Sequence, residues 1–265
     1  MTFVRQTIIA GNWKMNLNRS EAKQLTSTIA EGVKGQSDLP AIVLCPPFTS
    51  LETVGAAIDP KTIALGAQNM DYRDSGAFTG EVAPPMLLDL NVKYVIIGHS
   101  ERRQLFGETN QTVNLKLKAA LSHKLLPIVC VGETLDERES NLTDSVVSRQ
   151  VVAALQGLTA AELSSLVIAY EPVWAIGTGK VCEAMEANRV IRTIRQTLAN
   201  STSQDLANRV PILYGGSVNS KNVDEQLIQS DIDGSLVGGA SLKAEDFLSI
   251  IASAKKSRLK VANKA

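Results

Sequence analysis

The sequence predicts an α/β chain folded as one closed (β/α)8 barrel, a single domain over residues 1–265, on three observations. Eight short apolar runs recur along the chain, helical patterns lie between them, and no linker or low-complexity tract divides the series. The runs cover 7–10, 41–45, 63–67, 94–97, 128–131, 166–170, 212–214 and 235–237. Because they carry Val and Ile without polar alternation, they read as strands buried on both faces of a parallel sheet. Their starts lie about 22 to 46 residues apart and near 33 on average, the length of one strand–helix unit. An open doubly wound sheet would want a glycine-rich dinucleotide turn after its first strand. Gly11-Asn12-Trp13-Lys14 stands there instead.

The helices carry their own signals. Asn18 with Glu21 three residues later reads as a capping box before Ala22, Leu25 and Ile29. Val113, Leu117, Ala120 and Leu121 fall at i, i+4, i+7 and i+8, and Val147, Val151, Ala154 and Leu155 repeat the spacing. Each set builds one apolar stripe for packing on the sheet.

Composition narrows the function. The 27 Lys and Arg balance 27 Asp and Glu, which argues against a nucleic-acid binder, and the basic run 255–260 reads as a solvated helix end. No apolar stretch approaches the roughly 18 to 20 residues that cross a bilayer, and the first ten residues lack a signal-peptide core, so neither membrane nor export is expected. Cys45, Cys130 and Cys182 are widely spaced without a C-x-x-C pair. They suggest no disulfide framework and no zinc site, and a reducing cytoplasm follows. Cys45 and Cys130 fall in strands as packing residues, whereas Cys182 is expected near the surface. With only His99 and His123 available, no metal is expected.

In such barrels chemistry gathers at the C-terminal ends of the strands. Asn12 and Lys14 follow the first strand. Gly98-His99-Ser100-Glu101 follows the fourth, and a helix starting there would hold the His99 imidazole neutral, able to polarise a carbonyl as a donor. The sixth run ends in Glu171-Pro172, which puts a carboxylate at the mouth, either paired structurally or used as a base. The next segment, 173–180, is an apolar loop bounded by Pro and Gly, as a lid over a substrate would be. Gly215-Gly216-Ser217 and Gly238-Gly239 end the last two strands and read as a phosphate cradle built from backbone N–H groups. Gly179-Lys180 is no Walker loop, because Trp174 and Val181 occupy required positions. Gly98-His99-Ser100 is no nucleophile elbow, because Arg102 replaces its second glycine.

These stretches together closely resemble triosephosphate isomerases along almost the whole chain. The resemblance rests on Ala10-Gly-Asn-Trp-Lys-Met15, Gly98-His-Ser-Glu-Arg-Arg103 and Tyr170-Glu-Pro-Val-Trp-Ala-Ile-Gly-Thr-Gly179, in order and at matching intervals. It implies a TIM barrel that interconverts dihydroxyacetone phosphate and D-glyceraldehyde 3-phosphate without a cofactor. Glu171 would then be the base, His99 the electrophile, and Lys14 and Asn12 the stabilisers of the enediolate and the phosphate, with Glu101 behind Lys14. Gly177, Ser217, Gly238 and Gly239 would contact the phosphate. The resemblance also implies a homodimer, in which the long apolar-rich segment 69–86, with Phe78 and Thr79 near its tip, enters a neighbouring subunit at Met15. Val181, Cys182 and Ala83 depart from the family pattern, at the lid end and in the interface segment. Cys182 beside the hinge is a candidate oxidation-sensitive point. Two other readings stand beside this one: a glycoside hydrolase using Glu101 and Glu171, and a non-catalytic phosphate-binding barrel.

Overall fold

The computed structural model describes residues 5–178 and 180–262, with side chains through residue 257. Gly179 of the lid run and the side chains of the basic run beyond Ser257 therefore lie outside the described residues. Eight strands follow one another around a closed barrel: β1 Ile8–Asn12, β2 Ala41–Cys45, β3 Ile63–Ala67, β4 Tyr94–Ile97, β5 Leu126–Val131, β6 Val167–Tyr170, β7 Ile212–Tyr214 and β8 Gly234–Val237. Every neighbouring pair is parallel, and β8 closes on β1 through Ile8 opposite Gly234.

Strand limits shift slightly from the apolar runs. β1 begins at Ile8 and continues through Gly11 and Asn12, which still pair with Leu44 and Cys45, although neither residue is apolar. β5 starts two residues early because Leu126 and Pro127 pair with Tyr94 and Val95. β6 begins at Val167 and β8 at Gly234, one residue off each run.

Among the described residues the α-helices are α1 Arg19–Val33, α2 Leu51–Gly55, α3 Pro84–Asp89, α4 Ser100–Leu105, α5 Asn110–Ser122, α6 Leu135–Glu139, α7 Thr143–Leu155, α8 Ala184–Ser201, α9 Gln204–Arg209, α10 Val223–Leu227 and α11 Ala244–Ala262. The Asn18–Glu21 box forms as its residues require: Asn18 accepts from the amides of Ser20 and Glu21, and Glu21 accepts from the Asn18 amide. The predicted stripes on α5 and α7 face the barrel, with Val113, Leu117, Ala120, Val147, Val151, Ala154 and Leu155 buried and Leu121 at the stripe's edge.

Strand alternation divides the core in two. Ile9, Ile42, Leu44, Val95, Ile97, Val129, Ile168, Ile212 and Val237 point outward to the helices. Ile8, Ala10, Val43, Cys45, Tyr94, Ile96, Ile128, Cys130, Val167, Ala169, Leu213 and Leu236 fill the barrel itself. A barrel of eight strands is just wide enough for side chains to fill, so its interior is a packed plug and only the residues above the plug are free to meet a ligand.

Candidate active site

The inward phase of the strands selects the top layer. Asn12, Glu171, Gly215 and Gly238 each lie two residues beyond an inward-facing side chain, respectively Ala10, Ala169, Leu213 and Leu236. His99 is out of phase with Ile96, and Gly98 corrects it. At φ 70° Gly98 breaks the alternation, and a Cβ there would press on Val113 at 2.7 Å. His99 consequently caps α4 and turns into the mouth. Lys14 is also held in the left-handed region, at φ 52°, which a lysine adopts only at a cost of about 1–3 kcal/mol. Its carbonyl and that of Cys45 accept from the Gln68 amide at 2.9 and 2.8 Å, and its own amide donates to Asn12 Oδ1 at 3.1 Å. Gln68 has no sequence signature; only the contact reveals it.

One cavity of about 540 Å³ is lined by Asn12, Lys14, His99, Glu171, Gly177, Ser217, Gly238 and Gly239, together with Gly215, Gly216 and Lys243. The strand ends thus bring together every residue expected to bind or transform the substrate. Lys243 has no sequence signature, being one lysine among many before a helix. Glu101 lies behind the cavity wall, with Oε1 2.6 Å from Lys14 Nζ. Its engagement with Lys14 disfavours a paired-carboxylate role with Glu171.

Glu171 is the buried centre of the site. Its Oε1 lies 2.9 Å from His99 Nε2 and its Oε2 accepts the Ser100 amide at 2.9 Å. Burial pushes the carboxyl up most strongly, yet the charge and hydrogen bond of His99, the Ser100 amide and the Cys130 thiol together hold it below the usual carboxylate range. Cys130, expected only to pack, therefore also touches the central carboxylate. It faces inward one layer below the mouth, and burial, followed by the Glu171 charge, drives its thiol well above the ordinary value.

At His99 the expectation of a neutral ring meets an opposing force. Burial is the largest influence and lowers the pKa, but the charge and hydrogen bond of Glu171, joined by Glu101, raise it above the ordinary histidine value. Against that pull, the Glu101 amide at the start of α4 donates to Nδ1 at 3.2 Å. In the neutral ring that contact leaves the proton on Nε2.

The segment expected to act as a lid begins in a short 3-10 turn, Val173–Ala175. Ala175 is buried, and the Trp174 indole donates to Glu133 Oε1 at 2.8 Å. Ser217 Oγ donates to the Ala175 carbonyl at 2.6 Å, so the expected phosphate contact presently holds the lid. Cys182 corrects an expectation. It is 1% exposed instead of lying near the surface, because the chain turns inward there beneath Gln226, whose amide reaches the Cys182 carbonyl at 3.3 Å. Burial pushes its thiol up to about 12, which removes the thiolate that an oxidation-sensitive point needs.

Segment 69–86 is anchored at its base and open at its tip. Met70 and Asp71 are buried, Lys116 donates to Asn69 at 2.7 Å, and Arg73 grips Asp71 through two 2.8 Å bonds while stacking on Phe78 at 3.1 Å. Phe78 and Thr79 are exposed, as is Met15 at 95%. Ala83 stands at the N-cap of α3 and gives it no side-chain cap.

The fold and cavity define a (β/α)8 barrel whose C-terminal mouth carries a buried carboxylate, an imidazole and a lysine beside two glycine-rich loops. The sequence profile described as triosephosphate isomerase matches residues 7–254. The chain belongs to the triosephosphate isomerase family. It is 52% identical over 248 residues to the triosephosphate isomerase of Clostridium tetani, covering 94% of this chain and 96% of that protein. Identity to the triosephosphate isomerase of a Synechococcus species is 50% over 252 residues, covering 94% and 97%. The triosephosphate isomerase of a Thermoanaerobacter species is also 50% identical, over 94% of this chain and 99% of its own. Among the described residues no helix is long and apolar enough to cross a membrane.

Proposed function

We propose that this chain interconverts dihydroxyacetone phosphate and D-glyceraldehyde 3-phosphate through an enediolate. A proton beside a carbonyl is weakly acidic, so a base works only if the growing oxyanion is stabilised as the proton leaves. In this reading Glu171 exchanges its contacts with His99 and Ser100 for the substrate, removes a proton from one carbon and returns it to the next. His99 donates from Nε2 to the carbonyl oxygen and takes up the proton of the neighbouring hydroxyl as the new carbonyl forms, while Lys14, steadied by Glu101, and Asn12 offset the developing charge. Backbone amides at Gly177, Gly238 and Gly239, with Ser217, hold the phosphate. The lid excludes water, which limits loss of phosphate from the enediolate.

The observation that carries the reading is the 2.9 Å contact between Glu171 and His99 in the same cavity as Lys14 and the glycine loops. A ligand that arrives there finds base, donor and cation already assembled. A coupled assay with glyceraldehyde 3-phosphate tests it: the native chain turns over, and Glu171→Gln loses roughly 10²- to 10⁴-fold in kcat. An inert native chain, or a fully active Glu171→Gln, ends the reading.

The same proposal includes a homodimer, formed as segment 69–86 carries Phe78 and Thr79 into a neighbour at Met15. The exposure of these residues on an otherwise anchored segment supports it. Sedimentation of an active monomer would refute it. Cytoplasmic residence agrees with three free, buried cysteines.

A further inference from the structure

The start of the lid run and the start of α8 meet at one guanidinium outside the cavity. Arg138, on α6, lies with its Cζ 4.5 Å from the centroid of the Trp174 ring. Its Nη1 donates to Glu186 Oε1 at 3.2 Å and stands 3.7 Å from Glu133 Oε1. That same Glu133 oxygen accepts the Trp174 indole at 2.8 Å and the Tyr170 hydroxyl at 3.1 Å. Trp174 belongs to the first turn of the lid run, and Glu186 to the first turn of α8, six residues beyond that run's end. Glu186 is itself fixed by Arg189 at 2.9 and 3.1 Å, and Arg189 by Asp144 on α7 at 2.9 and 3.0 Å.

We infer that Arg138 is a positioning residue that ties the moving start of the lid to the stationary start of α8 and so sets the balance between open and shut lid. A planar guanidinium stacks on an indole with its face while its edge donates to carboxylates. Lysine keeps the charge but loses the stack and the fork. Asp144, Arg189 and Glu186 hold the guanidinium in place, so Trp174 swings against a fixed wall. Arg138 does not line the cavity with Glu171 and His99, and it acts on the reaction only through the lid. The effect on turnover rests on the isomerase reading; the effect on Trp174 does not.

The test combines turnover with the ¹⁹F resonances of protein labelled with 5-fluorotryptophan, which has only Trp13 and Trp174 to report. In ligand-free protein, Arg138→Ala is expected to shift or broaden the Trp174 resonance and leave that of Trp13 in place, with Arg138→Lys between it and the native chain. With glyceraldehyde 3-phosphate, kcat falls roughly ten- to a hundredfold with a smaller change in KM, and the share of turnover lost as inorganic phosphate rises. A folded Arg138→Ala with native Trp174 resonance, kcat and phosphate release overturns the inference. Should Arg138→Ala fail to fold, Glu186→Gln cuts the tie to α8 alone, and an unmoved Trp174 resonance there overturns it equally. A native chain inert to the triose phosphate, with Trp174 still responding to Arg138→Ala, would sink the isomerase reading and uphold the tie.

Discussion

At the floor of the barrel Arg195 is buried with all its contacts supplied by the protein: Asp233 at 2.7 Å, Asp231 at 3.2 Å, and the carbonyls of Ala207 and Val210 at 2.7 and 2.9 Å. Asp233 in turn accepts the Ile212 amide at 2.9 Å and Arg5 at 2.6 Å. At the mouth the buried Glu171 has partners of another kind, a histidine and a backbone amide that border open space, and Lys14 leans on a half-exposed Glu101. The floor satisfies its charges permanently by joining α8 to the loops between strands. The mouth satisfies its charges provisionally, with groups that a ligand can replace. Removing one partner from a fully paired buried cluster costs stability, whereas the same change at the mouth costs chemistry.

The largest effect should come from the mouth. Lys14→Met removes a preorganised cation and is expected to lower kcat roughly 10²- to 10³-fold while urea unfolding changes little. A stability loss as large as that of a floor variant would erase the contrast. At the floor, Arg195→Met takes the buried partner from Asp233 and Asp231, leaving them only Arg5 and Arg192 as cations, and should cost about 3 kcal/mol of unfolding free energy, with kcat per folded molecule preserved. Denaturant titration and active-site-normalised assays read both quantities, and a fall in kcat would show that the two ends are coupled.

Acid sharpens the comparison at segment 69–86. The hydrogen bond from Arg73 lowers the Asp71 pKa, so Asp71 adds stability that is present above its ordinary value of 3.8 and is lost as pH falls through the lowered one. Burial pushes Glu108 up, but Lys116 and Arg102 outweigh it, so its contribution follows the same sign below 4.5. Asp71→Asn should therefore cost stability at neutral pH and flatten the acid limb of a melting profile. An acid limb that stays steep would assign the lability elsewhere. The smallest expected change is a gain: Ala83→Ser gives α3 the side-chain cap it lacks, worth about 1 kcal/mol. Unfolding titration at neutral pH checks it.

By itself the sequence determined the barrel, because apolar runs and helical stripes are local patterns that strand and helix geometry translate directly into buried faces. The strand-end residues Asn12, Lys14, His99, Glu171 and the two glycine pairs were legible for the same reason, each lying just past a recognisable run. Which distant groups touch is settled only when the elements dock. Gln68 under Lys14, Cys130 against Glu171, Glu133 beneath Trp174 and Arg138 between Trp174 and Glu186 are joined across separate strand–helix units. Cys182 shows the limit from the other side, since its neighbours in the chain suggested exposure and its neighbours in space buried it. Periodicity records which face a residue presents to the core, but a hydrogen bond or a stack depends on where two elements dock, and docking is a property of the assembled core.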